Sequence, residues 1–146
     1  MAQALPATIP HAAALAASRW PADPAVIERG ESWTFAELWA QCRAAASALL
    51  SRGVRDGDRV AIWAPNSREW VVAAIGALTA GATIVPLNTR LKGIEAGDIL
   101  RRTGAKILFT VRGFLGIDYP ALLADQELPD LSETVLLDEA FAGFMA

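Results

Sequence analysis

Residues 70–87, WVVAAIGALTAGATIVPL, are an uncharged run of eighteen residues, and this run most constrains what the chain can fold into. At about 1.5 Å per residue, one helix of this length would just cross a hydrocarbon core of about 30 Å. The alternative is a buried helix, a turn and a buried strand. The two alternatives differ in whether a single helix continues through Gly81.

The composition of the run favours the second alternative. It is rich in Ala, Gly and Thr and poor in Leu and Phe, and a polar triplet follows at residues 88–90. Transfer into lipid would therefore gain little free energy. Gly81 separates an alanine-rich half from the β-branched segment ATIVP, which is typical of a helix, its C′ glycine and a buried parallel strand. We predict a helix and a buried strand with a break at residues 80–82, and no transmembrane segment.

Helix and strand signals alternate along the rest of the chain. An amphipathic first helix is followed by a small hairpin that turns at Arg29 and Gly30. Further strands are predicted at residues 59–63, 106–111 and 134–137, and further helices near residues 94–103 and 120–125. Such alternation indicates parallel pairing through helical crossovers. The sequence thus predicts one α/β domain over residues 1–146, a layered parallel sheet with flanking helices.

The segment TFAEL, which begins at Thr34, has the pattern of a capping box. The Thr34 hydroxyl can accept the N–H of Glu37, and the Glu37 carboxylate can accept the N–H of Thr34. Apolar residues then recur at spacings of three and four until Gly53, which suits the left-handed C′ position. We predict a helix that ends before Gly53, with Trp39 and Leu49 buried on one face.

Charge and cysteine content exclude several classes of function. The net charge of −3 gives no electrostatic basis for binding nucleic acid or an anionic membrane. The single cysteine, Cys42, excludes an internal disulfide and a thiolate metal cluster, and it fits a reducing cytoplasm. The N-terminal segment lacks the basic region and leucine-rich core of an export signal. We expect a cytoplasmic protein.

No residue is predicted to be catalytic or to bind a metal. His11 heads the first helix, where a solvated or capping role is expected. Cys42 lies on the apolar face of its helix and is interpreted as a buried hydrophobic residue. Asp56 and Asp58 flank a turn glycine, and the arginines at residues 101–102 close a helix, where cations suit the dipole.

The glycines also give no phosphate-binding loop. Such a loop needs several glycines close together, usually with a lysine. The pairs Gly53 with Gly57 and Gly113 with Gly116 lack that density and context. The GxGxxG fingerprint of dinucleotide binding is absent from the first strand-to-helix junctions. The residues alone therefore indicate an α/β domain without a recognisable active site.

Three segments, in order and at matching spacing, nevertheless resemble the N-terminal part of adenylate-forming (AMP-binding) enzymes, acyl-CoA synthetases (fatty-acid–CoA ligases) in particular. TFAEL, from Thr34, is similar to the family's T-[YF]-x-E-L motif. The family's core strand and P-N-[ST]-x-E-[WF] turn are similar to the segment from Gly57, GDRVAIWAPNSREWVVAAIGALTAGA. The family's V-P-[IL]-N-x-R segment is similar to the segment from Val85, VPLNTRLKGIEAGDIL. FLGIDYPALLADQ, from Phe114, also resembles these enzymes, and the resemblance covers residues 8–137.

The resemblance implies a two-step reaction of fatty-acid and lipid metabolism. A carboxylic acid and ATP give an acyl-adenylate and diphosphate, and the thiol of coenzyme A then takes the acyl group with release of AMP. The family uses ATP, CoA and Mg²⁺. Its phosphate loop, acidic metal motif, ribose-binding aspartate and lid lysine lie downstream of the region matched here. We therefore expect this chain to be inactive alone and to bind none of these cofactors tightly.

One residue is a candidate binding residue through the resemblance. Arg112 follows the strand predicted at residues 106–111, where some relatives place basic residues near the phosphates of CoA. The alternative is a plain surface arginine, because guanidinium groups are common on surfaces without a ligand.

Three hypotheses for function stay open. The first is the N-terminal region of an acyl-CoA synthetase, whether a truncation, an assembly fragment or one piece of a split enzyme. The second is a non-catalytic binding or assembly module, whose open sheet edges pair with a separate chain carrying the missing half. The third is a flavodoxin-like nucleotide binder, which shares the alternation but lacks a phosphate loop. The expected small-molecule partner is a carboxylic acid whose acyl group the residues do not specify.

Overall fold

The structure is a computed structural model that describes residues 5–138 and 140–146. The helices are α1 (Ile9–Arg19), α2 (Phe35–Ser51), α3 (Arg68–Thr79), α4 (Gly93–Thr103) and α5 (Ala140–Met145). The strands are β1 (Pro24–Glu28), β2 (Glu31–Thr34), β3 (Arg59–Trp63), β4 (Thr83–Pro86), β5 (Ile107–Thr110), β6 (Arg112–Phe114), β7 (Ile117–Asp118) and β8 (Glu133–Leu136). A parallel sheet has the order β4-β3-β5-β8, and β1-β2 and β6-β7 are antiparallel hairpins.

The parallel sheet separates two hydrophobic cores. Successive side chains of a strand point to opposite faces, so Val60 and Ile62 enter one core while Ala61 and Trp63 enter the other. The first core also holds the buried faces of α2, α3 and α5. The second is closed by α4 and by the chain that follows β7. The predicted layered α/β sheet with flanking helices is therefore confirmed.

The uncharged run divides as predicted. Its helix is α3, whose N-cap Ser67 accepts the N–H of Trp70 at 3.1 Å, and whose last residue is Thr79. Gly81 then takes a φ of +86°, which favours glycine, and β4 follows. No helix in the described part of the chain has the length and apolar character needed to cross a membrane.

The predicted burial of the second half of this run is wrong. β4 is an edge strand of the sheet, so it has a neighbour only on the β3 side in the described residues. Thr83 and Pro86 are exposed and Ile84 and Val85 are half-buried. Period and composition predict a strand, whereas burial depends on the number of neighbouring strands, which neither specifies.

The helix after Thr34 has the predicted capping box. The Thr34 N–H donates to Glu37 Oε2 at 2.8 Å, and the Glu37 N–H donates to Thr34 Oγ1 at 3.2 Å. Leu49 is buried as predicted, but Trp39 is only half-buried. The reason is that α1 covers α2 with alanines and leaves an apolar groove of about 270 Å³ beside Trp39.

The chain after β5 differs most from the prediction. The helix expected near residues 120–125 is a short 3-10 helix, Pro120–Leu123. It begins where Asp118 Oδ1 accepts the N–H of Ala121 at 3.2 Å. The β6-β7 hairpin and α5 were not predicted, because each is too short to show a periodic pattern in sequence. The strand expected at residues 134–137 is β8, and the helix with its Gly104 stop is α4.

Candidate functional site

The carboxyl ends of β3 and β4 form a topological switch point. After β3 the chain enters α3, which packs in the first core, whereas after β4 it enters α4, which packs in the second core. Two neighbouring parallel strands whose connections leave on opposite faces open a crevice between their carboxyl ends. This edge of the sheet is therefore the place where the fold itself favours a ligand site.

A cleft of about 390 Å³ lies at this switch point. It is lined by Ala64, Pro65, Asn66, Trp70, Pro86, Leu87, Asn88 and Thr89. Asn66 comes from the P-N-S turn and Asn88 from the V-P-L-N-T-R segment, so the fold brings together two of the segments that carry the sequence resemblance. Both asparagines are exposed, and their amide side chains can donate and accept hydrogen bonds. We name this site the switch-point cleft.

Buried aromatic residues hold the backbone of the cleft in place. The indole N–H of Trp63 donates to the carbonyl of Asn88 at 3.0 Å, and the hydroxyl of Tyr119 donates to the carbonyl of Thr89 at 3.1 Å. Trp63 and Tyr119 are both 0% exposed and pack edge to face with centroids 4.9 Å apart. The Thr110 hydroxyl donates to the carbonyl of Trp63 at 2.9 Å. The consecutive carbonyls of Asn88 and Thr89 are thus held by hydrogen bonds from side chains of the second core.

The roles of Trp63 and Tyr119 were not predicted from the sequence. A signal for Tyr119 existed, because it lies in the segment FLGIDYPALLADQ that resembles the family. What the sequence does not show is that the chain returns from the hairpin into the second core at this residue.

Arg112, the candidate from the resemblance, is the first residue of β6 and follows the carboxyl end of β5. Its side chain is 62% exposed, and its Nε lies 3.5 Å from Asp118 Oδ1 on the opposite strand of the hairpin. An exposed pair at this distance contributes little to stability. The guanidinium is therefore on the same sheet edge as the switch-point cleft and is accessible to an anion.

The glycines near Arg112 have a structural role. Gly113 and Gly116 have φ values of +82° and +73°, and Leu115 between them has a φ of +54°. These left-handed conformations make the tight turn between β6 and β7. Gly113 and Gly116 thus belong to the β6-β7 hairpin.

The candidates for a nucleophile and a general base are not placed at the cleft. Cys42 is buried between helices in the first core, and this burial raises the pKa of its thiol to about 12. The thiolate, which is the reactive form, is therefore scarce near neutral pH. His11 is exposed in the first turn of α1, where its backbone N–H donates to the N-cap Thr8 Oγ1 at 3.2 Å.

Asp58 lies at the amino end of β3, opposite the cleft, and supports the fold. Its Oδ2 accepts hydrogen bonds from the Lys106 ammonium and from the Arg55 N–H, each with a donor–acceptor distance of 2.7 Å. The hydrogen bond from Lys106, then that from Arg55, hold the pKa of this carboxyl below its usual value. Its neighbour Asp56 packs beside Gly81.

Metal binding has no visible basis within residues 5–138 and 140–146. These residues contain no group of three His, Cys, Asp or Glu side chains arranged to hold an ion.

At the end of α4, Arg101 and Arg102 lie 3.0 Å and 3.6 Å from Asp98, so they have an intrahelical partner. Both arginines are thus accounted for by helix electrostatics, as expected.

A parallel sheet with helices on both faces and a cleft at its switch point defines the class as an α/β domain, and comparison with known proteins specifies its family. The family described as AMP-binding enzyme matches residues 14–144. The chain therefore belongs to the AMP-binding enzyme family.

Two relatives have the same name. The protein named 3-[(3aS,4S,7aS)-7a-methyl-1,5-dioxo-octahydro-1H-inden-4-yl]propanoyl:CoA ligase from Mycobacterium tuberculosis is 44% identical over 128 residues, covering 88% of this chain and 25% of that protein. The protein of the same name from Rhodococcus jostii is 46% identical over 121 residues, covering 83% of this chain and 24% of that protein. The chain thus spans about a quarter of the length of these relatives.

Solved structures place the chain in the N-terminal part of the fold. The N-terminal domain of FACL13 from Mycobacterium tuberculosis superposes with a TM-score of 0.83 at 29% identity, covering 94% of this chain and 35% of that one. A fatty acyl CoA synthetase from the same organism superposes with a TM-score of 0.82 at 26% identity, covering 94% of this chain and 28% of that one.

Proposed function

We propose that this chain is the N-terminal part of an ATP-dependent acid–CoA ligase. In the first step a carboxylate oxygen attacks the α-phosphorus of ATP, forming an acyl-adenylate and releasing diphosphate. In the second step the thiol sulfur of CoA attacks the acyl carbon, and AMP leaves with the electron pair of the broken bond. The observation that carries the proposal is the 44% and 46% identity to two proteins named as CoA ligases of one acid.

The contribution of this chain to such a ligase is binding and support. The metal site and the triphosphate cradle would lie in other parts of the enzyme, because the residues described here offer no carboxylate cluster for an ion and the sequence has no glycine-rich phosphate loop. Arg112 is exposed on the carboxyl edge of the sheet and would pair with a phosphate of CoA. The rigid carbonyls of the switch-point cleft would form one wall of the site.

We further propose a fused-ring propanoate as the acid. The identity to the two ligases of the indene-propanoyl group exceeds the 32% identity to the human protein named medium-chain acyl-CoA ligase. A bulky, rigid acid rather than a straight fatty chain would be the preferred substrate. The reaction would occur in the cytoplasm, where ATP and CoA are available and where the free thiol of Cys42 stays reduced.

Co-expression with the remainder of a relative tests this function. The chain would be produced together with the portion of the Rhodococcus jostii ligase that lies outside the matched region, and thioester formation would be measured by mass spectrometry with ATP and CoA. We expect turnover of the indene-propanoate and much slower turnover of decanoate. A complex that forms and turns over neither acid contradicts the ligase function.

Arg112→Gln tests the CoA contact in the same system. We expect the KM for CoA to rise about tenfold, because the substitution removes one charged hydrogen bond. The KM for the acid should change little. Arg43→Gln is the matched control, because Arg43 is exposed on α2, away from the cleft. Equal KM values for CoA in the wild type and Arg112→Gln contradict the proposed contact.

A second candidate function, a non-catalytic assembly module, is favoured by one observation. Within the described residues, the outer edge of β4 has no neighbouring strand, and Ile84 and Val85 on it are half-buried. Such an edge can pair with another chain. A stable complex with a separate chain that binds no ATP, in place of turnover, would support this module over the ligase.

A further inference from the structure

The β6-β7 hairpin carries Arg112 but has little core of its own. It contains three residues in β6 and two in β7, and an isolated two-stranded hairpin is marginally stable in water. Its turn residues Leu115 and Gly116 have positive φ values, and Leu115 is 75% exposed. The position of Arg112 must therefore be set by contacts at the base of the hairpin.

Tyr119 is the first residue after the hairpin and is buried. Its ring is 0% exposed, stacks on Phe114 of β6 with centroids 6.5 Å apart, and packs edge-on against Trp63. These ring contacts would be kept by phenylalanine. The hydroxyl adds a directional contact, the 3.1 Å hydrogen bond to the Thr89 carbonyl in the wall of the switch-point cleft.

Two short steps connect this hydroxyl to Arg112. Asp118 precedes Tyr119, is aligned with Arg112 across the hairpin, and lies 3.5 Å from its guanidinium. The same Asp118 Oδ1 also accepts the Ala121 N–H, which anchors this carboxylate to the start of the 3-10 helix. The hydrogen bond from Tyr119 to Thr89 therefore ties the base of the hairpin to the V-P-L-N-T-R segment.

We infer that Tyr119 is a positioning residue, whose hydroxyl fixes the β6-β7 hairpin against the carbonyl of Thr89 and thereby holds Arg112 where it meets a nucleotide phosphate. The ligand part of this inference rests on the proposed CoA contact of Arg112. A buried hydroxyl usually has a partner, and functional side chains on loops depend on a rigid support. Tyr119 provides that support without touching the ligand itself.

The first arm of the test needs no ligand. The ¹⁵N-labelled chain and Tyr119→Phe would be compared by amide chemical shifts and heteronuclear NOE values. Leu49→Val is the matched control, because it loosens the first core on the opposite face of the sheet. We expect Tyr119→Phe to lower the NOE values of Gly113, Phe114 and Gly116, and Leu49→Val to leave them unchanged. Unchanged values in Tyr119→Phe would overturn the inference.

In the second arm the same proteins are titrated with adenosine 3′,5′-bisphosphate, and binding is followed by the chemical shifts of the hairpin amides. We expect Tyr119→Phe to raise the Kd about three- to tenfold, because this fold-change corresponds to the net free energy of one hydrogen bond. Leu49→Val should leave the Kd unchanged. Arg112→Gln should raise the Kd about tenfold or more, because it removes the charged hydrogen bond itself. Equal Kd values for the wild type and Tyr119→Phe would overturn the positioning role in binding.

The two arms separate failure of the inference from failure of the proposed function. A wild-type chain that shows no shifts with the nucleotide overturns the CoA contact of Arg112 and the ligand part of the inference. In that case, lowered NOE values in Tyr119→Phe would still support the hydroxyl as the group that fixes the hairpin. Lowered stability of Tyr119→Phe with unchanged NOE and Kd values would indicate a purely structural residue.

Discussion

Gly76 allows α3 to lie directly against α2. A Cβ atom at this position would be 2.6 Å from the Cβ of Ala45 and 3.1 Å from the carbonyl oxygen of Cys42. The neighbours are a backbone and a short side chain in the first core, which cannot move aside cheaply. The small residues of these helices, conspicuous in the sequence, are thus explained by close helix packing and not by a ligand.

Gly76→Ala should destabilise the chain. Alanine favours a helix by about 1 kcal/mol over glycine, but the steric overlap is expected to cost about 1–3 kcal/mol more than that gain. The measurement is the free energy of unfolding in urea. Gly143→Ala in α5 is the control, because a Cβ there meets nothing within 4 Å. A Gly76→Ala protein as stable as Gly143→Ala would show that α2 and α3 are farther apart.

The ion pair of Asp58 and Lys106 should make stability depend on pH at the acidic end. The folded pKa of Asp58 is lowered from 3.8, chiefly by the hydrogen bond from Lys106. A lowered folded pKa means that the stabilisation is fully present above the unfolded pKa and is lost as the pH falls through the folded pKa. We expect wild type to exceed Asp58→Asn in unfolding free energy at pH 7, with the difference shrinking below about pH 4.

Urea unfolding at pH 7, 4 and 3 checks this dependence. Asp125→Asn is the control, because Asp125 is exposed in the loop after the 3-10 helix. A wild-type advantage over Asp58→Asn that stays constant down to pH 3, or grows, would contradict the role of the ion pair.

At the scale of elements, the capping box fixes where α2 begins. Thr34→Ala removes the acceptor of the Glu37 N–H and should cost about 1 kcal/mol of stability. Thr34→Ser, which keeps a hydroxyl at the N-cap, is the control and should stay near the wild type. The melting temperature and the urea midpoint are the measurements. Equal midpoints for all three proteins would mean that the box does not stabilise the helix.

Elements with strong local signals were predictable from sequence. These signals depend on residues close together in the chain: the capping box at Thr34, the glycine stops at Gly81 and Gly104, and the β-branched strands. The predictions that were wrong concern burial, which depends on tertiary context. β4 is half-exposed because it lies at the sheet edge, and Trp39 is half-buried because α1 leaves a groove beside it.

The site was less predictable than the fold for the same reason. The switch-point cleft joins Asn66 and Asn88, which are separated by a helix and a strand, and only the strand order brings them together. Arg112 was a candidate through resemblance alone. The segment that contains Tyr119 resembles the family, but the hydrogen bonds of Tyr119 and Trp63 could not be predicted, because they reach residues at least twenty-five positions away in the chain.

At the scale of the whole molecule, the described residues form two cores and the switch-point cleft, which no charged side chain lines. The polar side chains that line the switch-point cleft are two asparagine amides and a threonine hydroxyl. These groups can orient a ligand, but they cannot neutralise a triphosphate. Adenylation needs that neutralisation, and it needs the carboxylate held in line with the α-phosphorus. The chain spans about a quarter of the length of its ligase relatives, so most of each relative lies outside the matched region.

We therefore expect the purified 146-residue chain to show no acid-dependent exchange of diphosphate into ATP and no ATP-dependent formation of an acyl-CoA, with the indene-propanoate or with fatty acids. The full-length Rhodococcus jostii relative is the positive control, and a cooperative urea transition shows that the chain is folded in the assay. Turnover by the folded chain alone, abolished by Arg112→Gln or by substitution of Asn66 or Asn88, would contradict this expectation. Such a result would place a complete site at the carboxyl edge of the sheet, where positioning by the described residues would have to stabilise the transition state without a phosphate loop.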